Sequence, residues 1–165
     1  MQVSKTNAMR ILDAKKIIFE VLSYDNEDGK IHGIAVAEKI DRDPEAVFKT
    51  LVSHSGPSLY VFVIPVGAEL DLKKAAKAAG EKKIEMLPVK DLLKWTGYVR
   101  GGCSPVGMKK LYPTFIDSSA EPLAKMAVSA GKIGLQMELA PKLLANTVAA
   151  KFIELTRHDS TDGTP

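Results

Sequence analysis

The run at residues 59–66, LYVFVIPV, constrains the fold more than any other segment. It is short, apolar and rich in β-branched and aromatic side chains, a composition that favours a buried strand over a helix. Pro65 marks the end of the strand, because proline has no N–H to donate to a neighbouring strand. The chain must therefore contain a sheet with a covered face.

Helical patterns alternate with short strand patterns along the rest of the chain. The helices are predicted at about 6–16 with Asn7 as N-cap, 34–40, from Pro44 through PEAVFKTL (44–51), 70–80 with Gly80 as C-cap, 88–97, and 141–155. Strands are predicted at 17–24, 82–87, 113–116 and 127–129. Because no long βαβ repeat is present, the order favours an α+β fold with a mixed sheet or barrel.

The length of 165 residues and the 45% apolar content suit one compact domain, which we expect to span residues 1–165. Its core should run from about 5 to 155, followed by a polar tail at 158–165. No apolar run is long enough for a membrane span, and residues 1–10 lack the apolar core of a secretory signal. We therefore expect a cytoplasmic protein with no membrane partner.

Charge and cysteine usage exclude other classes. The single cysteine, Cys103, cannot form an internal disulfide, and with three scattered histidines it gives no zinc-type spacing, so no metal is expected. The formal charge of +3 permits an anionic partner but is too small for a polybasic tail. Five lysines, at 73, 74, 77, 82 and 83, suit either a phosphate backbone or a solvated helix face.

The glycine-rich loop GGCSPVG, residues 101–107, resembles a phosphate-binding loop only superficially. The spacing from Gly102 to Gly107 suits a Walker A motif, but Met108 stands where the phosphate-binding lysine should follow. Nucleotide hydrolysis is therefore disfavoured. Cys103 in this loop is a candidate nucleophile beside Arg100 and basic neighbours, yet a lone cysteine is more often a small buried hydrophobe.

Three other side chains stay ambiguous from the residues alone. Lys49 is flanked by apolar residues in VFKTLV, so its ammonium either extends to solvent or points into a pocket. Tyr24 and Tyr60 each fit a packed tyrosine with a locally satisfied hydroxyl as well as they fit a site residue.

Several separated motifs together resemble one family. They are KTNAMRIL (5–12), VFKTLV (47–52), IPV (64–66), LDLKKAAKAAGEKKIEM (70–86), TGYVRGGCSPVGMKK (96–110), PTFID (113–117) and VSAGKIGLQMEL (128–139). In this order they are similar to YbaK/EbsC proteins, free-standing relatives of the editing domain of bacterial prolyl-tRNA synthetases. The resemblance covers nearly the whole chain, and it implies a mixed, β-barrel-like core surrounded by helices.

The resemblance also implies a set of site residues. Lys49 matches the functional lysine of the family, and Gly101 and Pro105 match its GxxxP loop. The substrate-binding residues implied in addition are Tyr24, Thr50, Gly102, Cys103 and Ser129, with Gly101 to Cys103 as backbone donors to an oxyanion. Two positions depart from the family pattern: His32 stands where an aromatic residue is common, and Gln136 where an aspartate occurs.

The activity implied is hydrolysis of the ester that joins an amino acid to tRNA, without a cofactor. Cys-tRNA(Pro), with Cys-tRNA(Cys) as a second candidate, is the expected substrate, and its own thiol is the expected nucleophile. The partners implied are the aminoacylated 3′ end of tRNA and prolyl-tRNA synthetase, with no role for DNA. Two alternatives stay open: a non-catalytic module that binds a tRNA end or a synthetase, and a deacylase for alanine or another small amino acid.

Overall fold

The computed structural model describes residues 4–157, which form five α-helices and eight strands. The helices are α1 (Asn7–Ala14), α2 (Gly33–Lys39), α3 (Leu72–Ala79), α4 (Val89–Thr96) and α5 (Pro141–Val148). The strands are β1 (Glu20–Ser23), β2 (Phe48–Ser55), β3 (Ser58–Pro65), β4 (Glu85–Met86), β5 (Thr114–Asp117), β6 (Met126–Lys132), β7 (Leu135–Leu139) and β8 (Lys151–Ile153). The predicted tail at 158–165, which includes His158, lies outside the described residues.

Within residues 4–157 the strands form two sheets. A three-stranded antiparallel sheet has the order β1-β7-β6, and a five-stranded sheet has the order β4-β2-β3-β5-β8. The larger sheet is mixed, because β2 is antiparallel to β3 and β4 whereas β5 is parallel to both β3 and β8. The prediction of helices combined with a mixed sheet is confirmed.

The two sheets are linked, but they do not close on themselves. An isolated parallel bridge between Val47 and Ala127 joins the entry to β2 with β6. Within the described part of the chain, no further bridge completes a ring of hydrogen-bonded strands. The barrel-like core expected from the resemblance is therefore represented here by two open, contacting sheets.

β3 is buried on both faces, as its composition predicts. Val61 and Val63 point into the main core between the sheets and helices, whereas Phe62 and Ile64 enter a second core under α3. In that second core Phe62 stacks on Phe115 with ring centroids 5.5 Å apart. A strand with two buried faces fixes its register on both sides, since a shift of one residue would exchange the two cores.

The predicted helix 44–51 is wrong. Only Pro44–Ala46 turns, as a short 3₁₀ helix, and β2 begins at Phe48. From Phe48 opposite Pro65 to Ser55 opposite Ser58, every residue of β2 is paired with β3. The hydrogen bonds of this hairpin outweigh the weak helix signal of a short segment, so Lys49 and Thr50 lie on a strand.

The predicted helix 141–155 is also too long. It ends at Val148, because Ala149 adopts a left-handed conformation (φ 54°) and the Ala150 N–H donates to Ala145 O at 2.8 Å. The chain then forms β8 beside β5. The N–H of Leu155 is held by the buried carboxylate of Asp117 at 2.8 Å, which completes this edge of the sheet.

The N-cap of α1 is Thr6, whereas Asn7 was predicted. The Thr6 hydroxyl accepts the N–H of Met9 at 3.2 Å and donates to Ala130 O at 2.6 Å, so the cap also ties the helix to β6. Asn7 is the first helical residue, and its side chain donates to Gly107 O at 3.4 Å. The start of α1 therefore braces the glycine-rich loop.

A bidentate ion pair joins the end of α2 to β7. Arg42 donates from Nε and Nη2 to the two carboxylate oxygens of Glu138 at 2.7 and 3.2 Å. The hydrogen bonds from Arg42 are the main reason that the pKa of Glu138 lies below its ordinary value of 4.5. The ion pair therefore stabilises the fold when Glu138 is ionised.

We expect Glu138→Gln to reduce the loss of stability in acid. A carboxylate with a depressed pKa contributes stability that is complete above pH 4.5 and is lost as pH falls through the folded-state pKa. Urea unfolding at about pH 6 and about pH 3.5 would measure the difference. Asp13→Asn, which removes an exposed ion pair with Lys5, serves as the control and should change this difference less. An unchanged acid response in Glu138→Gln would contradict the assignment.

None of the helices within residues 4–157 is both long and apolar enough to cross a membrane.

Candidate active site

A cavity of about 640 Å³ lies where the two sheets meet α2 and the glycine-rich loop. Its volume falls in the range of small-molecule sites. Apolar side chains, including Ile31, Val47 and Val66, form much of its wall. Five of the predicted site residues line it, namely Lys49, Thr50, Gly101, Cys103 and Ser129. The structure thus brings together residues that are up to 80 positions apart in the sequence.

Lys49 is the half-buried cation of the cavity wall. Burial lowers its pKa, while the charge of Glu69 acts in the opposite direction. Within residues 4–157 no hydrogen bond or salt bridge engages its Nζ, although Glu69 itself pairs with Arg157 at 2.9 Å. A partly desolvated ammonium without a protein partner can attract an anionic ligand by its charge.

Lys49 and Thr50 leave β2 on opposite faces, because successive side chains of a strand alternate. Thr50 shares its face with Phe48 and Val52, both in the main core, and its hydroxyl is buried without a hydrogen-bond partner. The strand itself therefore forms this wall of the cavity, with a cation on one side and an unsatisfied hydroxyl on the other.

Gly101 allows the loop to approach the cavity closely. The Gly102 N–H donates to Val99 O at 2.9 Å, and Gly101 at the third position of this turn has φ 88°, as a type II turn requires. A Cβ added at Gly101 would lie 2.8 Å from Ile31 Cδ1. The positive φ therefore favours glycine here, and a Cβ would also require the end of the Ile31 side chain to move.

The same turn changes which loop N–H groups are available. Gly102 was predicted as one of the oxyanion donors, but its N–H is already used within the turn. A Cβ on Gly102 would also approach the backbone N of Ile133 to 3.0 Å, so this residue packs against the β6–β7 hairpin and does not line the cavity. The N–H groups of Gly101 and Cys103 have no partner within residues 4–157 and are the donors that remain.

Tyr98 holds the loop in this position. Its hydroxyl donates to Val106 O at 2.5 Å, which closes the segment between them. A Cβ on Gly107 would lie 2.8 Å from the Tyr98 hydroxyl, and one on Gly131 would lie 2.9 Å from its ring. The ring is thus enclosed by two glycines, and burial raises the pKa of Tyr98 to about 12.

Cys103 lies in the cavity wall as a buried thiol. Burial raises its pKa to about 12, although a hydrogen bond with Thr96 acts in the opposite direction. A thiol of this pKa is almost fully protonated at neutral pH, and the thiolate is the nucleophilic form. The geometry therefore favours Cys103 as a wall residue over a nucleophile.

We expect native Cys103 to react slowly with iodoacetamide at about pH 7.5. A pKa near 12 in place of 9.0 reduces the thiolate fraction roughly 10³-fold. The matched control is the same protein in guanidinium chloride, where the thiol should react at the rate of a free cysteine. Mass spectrometry of the alkylated protein over time gives both rates. Equal rates in the two conditions would show that Cys103 is exposed and activated.

Unsatisfied polar atoms mark the floor of the cavity. Ser129 on β6 pairs with Gln136 on β7, and both are buried and line the cavity. The Ser129 hydroxyl accepts the Gly131 N–H at 3.1 Å, whereas Gln136 Oε1 has no partner within residues 4–157. The Thr50 hydroxyl is likewise buried without a partner, so two residues of the cavity wall carry polar atoms with no hydrogen bond within residues 4–157.

Besides Gly102, two predicted residues lie outside the cavity wall. Tyr24 packs in the core under α2 with Lys39 Nζ 5.9 Å from its ring centroid, and its hydroxyl is buried without a partner. Pro105 lines a separate cleft of about 190 Å³ beside Ile11 and Tyr112. Pro105 therefore shapes the loop from behind.

Sequence reasoning gave little weight to two polar residues of the wall. Arg100 was considered only as a neighbour of Cys103, yet it lines the cavity directly before Gly101. His32 was noted as a departure from the family pattern, and it is the N-cap of α2, where Nδ1 accepts the Ala35 N–H at 3.4 Å. The position of Arg100 next to a double glycine was the available signal.

Comparison with known proteins places these features in a family context. The model of the aminoacyl-tRNA editing domain matches residues 32–146, which include every lining residue named above except Ile31. A protein of Enterococcus faecalis is 44% identical over 155 residues, covering 92% of this chain and 93% of its own. Its provisional name is Cys-tRNA(Pro)/Cys-tRNA(Cys) deacylase EbsC.

Solved structures share the fold at low sequence identity. One, provisionally described as a trans-editing enzyme for prolyl-tRNA synthetase, has a TM-score of 0.81 at 19% identity and covers 94% of this chain and 100% of its own. Another, a scaffold protein with a computationally grafted epitope, has a TM-score of 0.82 at 20% identity and covers 92% of this chain and 96% of its own. These likenesses show the fold alone.

Proposed function

The chain belongs to the aminoacyl-tRNA editing domain family, and on that premise we propose that it is a trans-acting deacylase that hydrolyses Cys-tRNA(Pro), and Cys-tRNA(Cys) as a second substrate. Its 44% identity over almost the whole length of a relative with that provisional name supports the substrate. The observation that carries the proposal is that an unpaired Lys49 and the Gly101 loop line the same cavity.

The parts of the cavity suit the parts of an aminoacyl-tRNA end. The ammonium of Lys49 and the guanidinium of Arg100 would attract the terminal phosphate, while the apolar wall would receive a small side chain. Thr50 and Gln136 would hydrogen-bond the polar atoms of the amino acid. A small cavity with a few placed polar groups selects by size and by hydrogen bonding together.

Ester hydrolysis at this site needs positioning more than a strong base, because an aminoacyl ester is already activated. The developing oxyanion would be stabilised by the free N–H groups of Gly101 and Cys103. Gly101 has no side chain to obstruct the ester, and its turn is fixed before the substrate arrives. The protein then contributes orientation and charge.

The cysteinyl substrate would supply its own nucleophile. Its sulfur attacks the ester carbonyl carbon, the bond to the ribose oxygen breaks, and the ribose hydroxyl leaves with the proton that the thiol gave up. The product is a cyclic thiolactone, which water then opens to cysteine. The buried, high-pKa Cys103 takes no part in these steps. This chemistry requires no cofactor.

We propose one domain over residues 1–165, acting in the cytoplasm on the aminoacylated 3′ end of tRNA. Prolyl-tRNA synthetase is the proposed partner, supported by the description of the structural neighbour as a trans-editing enzyme for that synthetase.

Parallel deacylation assays with Cys-tRNA(Pro), Ala-tRNA(Pro) and Pro-tRNA(Pro) test the function. Accelerated loss of cysteine alone is the expected result and would support thiol-assisted cleavage. Preferred loss of alanine would transfer the assignment to a deacylase for small amino acids. No acceleration with any of the three would contradict the proposed deacylase activity and favour a module that binds a tRNA end.

A further inference from the structure

The positive charge of this protein is concentrated in two segments. Residues 72–83 contain five lysines and one glutamate, and residues 89–112 contain five lysines and arginines and one aspartate, so each segment has a net +4, whereas the whole chain carries +3. Only the second segment includes residues of the cavity wall, Arg100 and Gly101. Its five cations are Lys90, Lys94, Arg100, Lys109 and Lys110.

Hydrogen bonds hold the segment that carries Lys109 and Lys110 against α4, which carries Lys90 and Lys94. Lys109 donates from its backbone N to Thr96 O at 3.1 Å and from Nζ to Lys94 O at 3.0 Å. The Tyr112 hydroxyl donates to Trp95 O at 2.6 Å. These bonds hold residues 109–112 against the last turn of α4. We call α4, Arg100 and residues 109–112 the α4 platform.

The cations of the α4 platform lack carboxylate partners. Within residues 4–157, other lysines and arginines form ion pairs, such as Lys39 with Asp28 and Lys74 with Glu154. None of the five platform cations does so. Unpaired surface cations at this density are the pattern expected for contact with phosphates.

Aromatic and apolar side chains are exposed among these cations. Trp95 is 37% exposed, with Lys94 Nζ 5.1 Å from its ring centroid, and Leu93 and Leu111 are 55% and 68% exposed. A basic surface with an exposed aromatic ring suits nucleic acid, since the ring can pack on a ribose or on the terminal base pair of a stem while the cations meet phosphates.

A short stretch of chain joins the end of α4 to the cavity wall. α4 ends at Thr96, and five residues later Gly101 lines the cavity together with Arg100. Five residues of chain span at most about 18 Å. A nucleic acid held on the platform could therefore extend a short single-stranded end to Lys49.

Resting on the deacylase function, we propose that the α4 platform binds the double-stranded acceptor stem of tRNA and so delivers its 3′ end to the cavity. The platform attracts the phosphate backbone by its charge and so provides affinity for tRNA, whereas the cavity recognises the amino acid. The five lysines at 73, 74, 77, 82 and 83, considered above as phosphate contacts, are then a solvated face.

A pair of matched triple variants tests this assignment. The platform triple is Lys90→Gln, Lys94→Gln and Lys110→Gln. The control triple is Lys73→Gln, Lys77→Gln and Lys82→Gln, which removes the same charge from exposed positions on and after α3. Lys109 is left intact because it holds the platform together. Circular dichroism and thermal unfolding confirm that each variant is folded.

The probe is uncharged tRNA(Pro), and the signal is the fluorescence of Trp95, the single tryptophan of the chain. The platform triple should weaken binding at least about tenfold at about 0.1 M salt, and its salt dependence should be shallower by about 2–3 in log–log slope. The control triple should bind like wild type. Equal weakening of tRNA binding by both triples would overturn the proposal. Unchanged affinity of the platform triple for tRNA would also overturn it, and is the result expected if the platform binds an acidic protein.

A kinetic comparison separates this proposal from the proposed function. Two substrates are compared, full-length Cys-tRNA(Pro) and a cysteinyl ester of the terminal trinucleotide. The ratio of kcat/KM for the first to kcat/KM for the second should be about tenfold lower in the platform triple than in wild type. An unchanged ratio would argue against the platform. If wild type cleaves neither ester, the deacylase function fails, while the affinity for uncharged tRNA still decides whether the platform binds the stem.

Discussion

Lys49→Met is expected to lower kcat/KM for Cys-tRNA(Pro) by about 10²–10³, the usual effect of removing one charged or hydrogen-bonding group that stabilises a transition state. Methionine keeps the unbranched stem of lysine and removes only the ammonium. A deacylation assay under single-turnover conditions measures the loss. Lys73→Ala, on the exposed face of α3, is the control and should retain wild-type activity.

The same Lys49→Met variant should be at least as stable as wild type. Burial lowers the pKa of Lys49, which means that desolvation of the charged ammonium destabilises the folded state. No partner within residues 4–157 is left unpaired by the change. A purely structural lysine would instead lose stability on substitution. Wild-type turnover in Lys49→Met would remove this residue from the mechanism.

Gly101→Ala is expected to destabilise the protein by about 1–3 kcal/mol and to lower turnover about 10–100-fold. A left-handed alanine is strained by about 1–2 kcal/mol, and its Cβ would lie 2.8 Å from Ile31 Cδ1. Either the Ile31 side chain or the loop must shift, and a shift of the loop would move the N–H groups of Gly101 and Cys103. Thermal unfolding should show a Tm lower by about 2–12 °C.

Two comparison variants separate backbone strain from the close contact. Gly80→Ala has a similar φ of 74° with nothing within 4 Å of the added Cβ, so it should show the strain without loss of activity. Ile31→Val removes the contacted Cδ1 atom, and in combination with Gly101→Ala it should recover part of the stability. If Gly101→Ala matched Gly80→Ala in both stability and activity, the close approach would have no role.

Elements with strong local signals were predictable from the sequence. The β-branched and aromatic run of β3 identifies a buried strand, and the structure confirms burial of both faces. The start and end of α3 are set by local groups, the Asp71 side chain and the left-handed Gly80, and Gly80 was predicted. Such signals depend on a few neighbouring residues, and here the tertiary contacts agree with them.

Elements that depend on distant partners were not predictable. Residues 48–51 were predicted as helix, but they pair with residues 62–65 in the β2–β3 hairpin. Residues 151–153 were predicted as helix, but they pair with 115–117 as β8. Both segments are short, and hydrogen bonding to an existing sheet outweighs a propensity difference of less than about 1 kcal/mol per residue.

The candidate site also has features that the sequence predicts and features that it does not. The sequence by itself determined which residue types the site contains, because the motifs around Lys49, Gly101 and Ser129 can each be recognised separately. Only the tertiary structure decided that Gly102 packs against the β6–β7 hairpin, that Gln136 Oε1 is unsatisfied, and that Pro105 lies behind the loop. Hydrogen-bond partners and burial are set by segments far apart in the chain, so no local pattern encodes them.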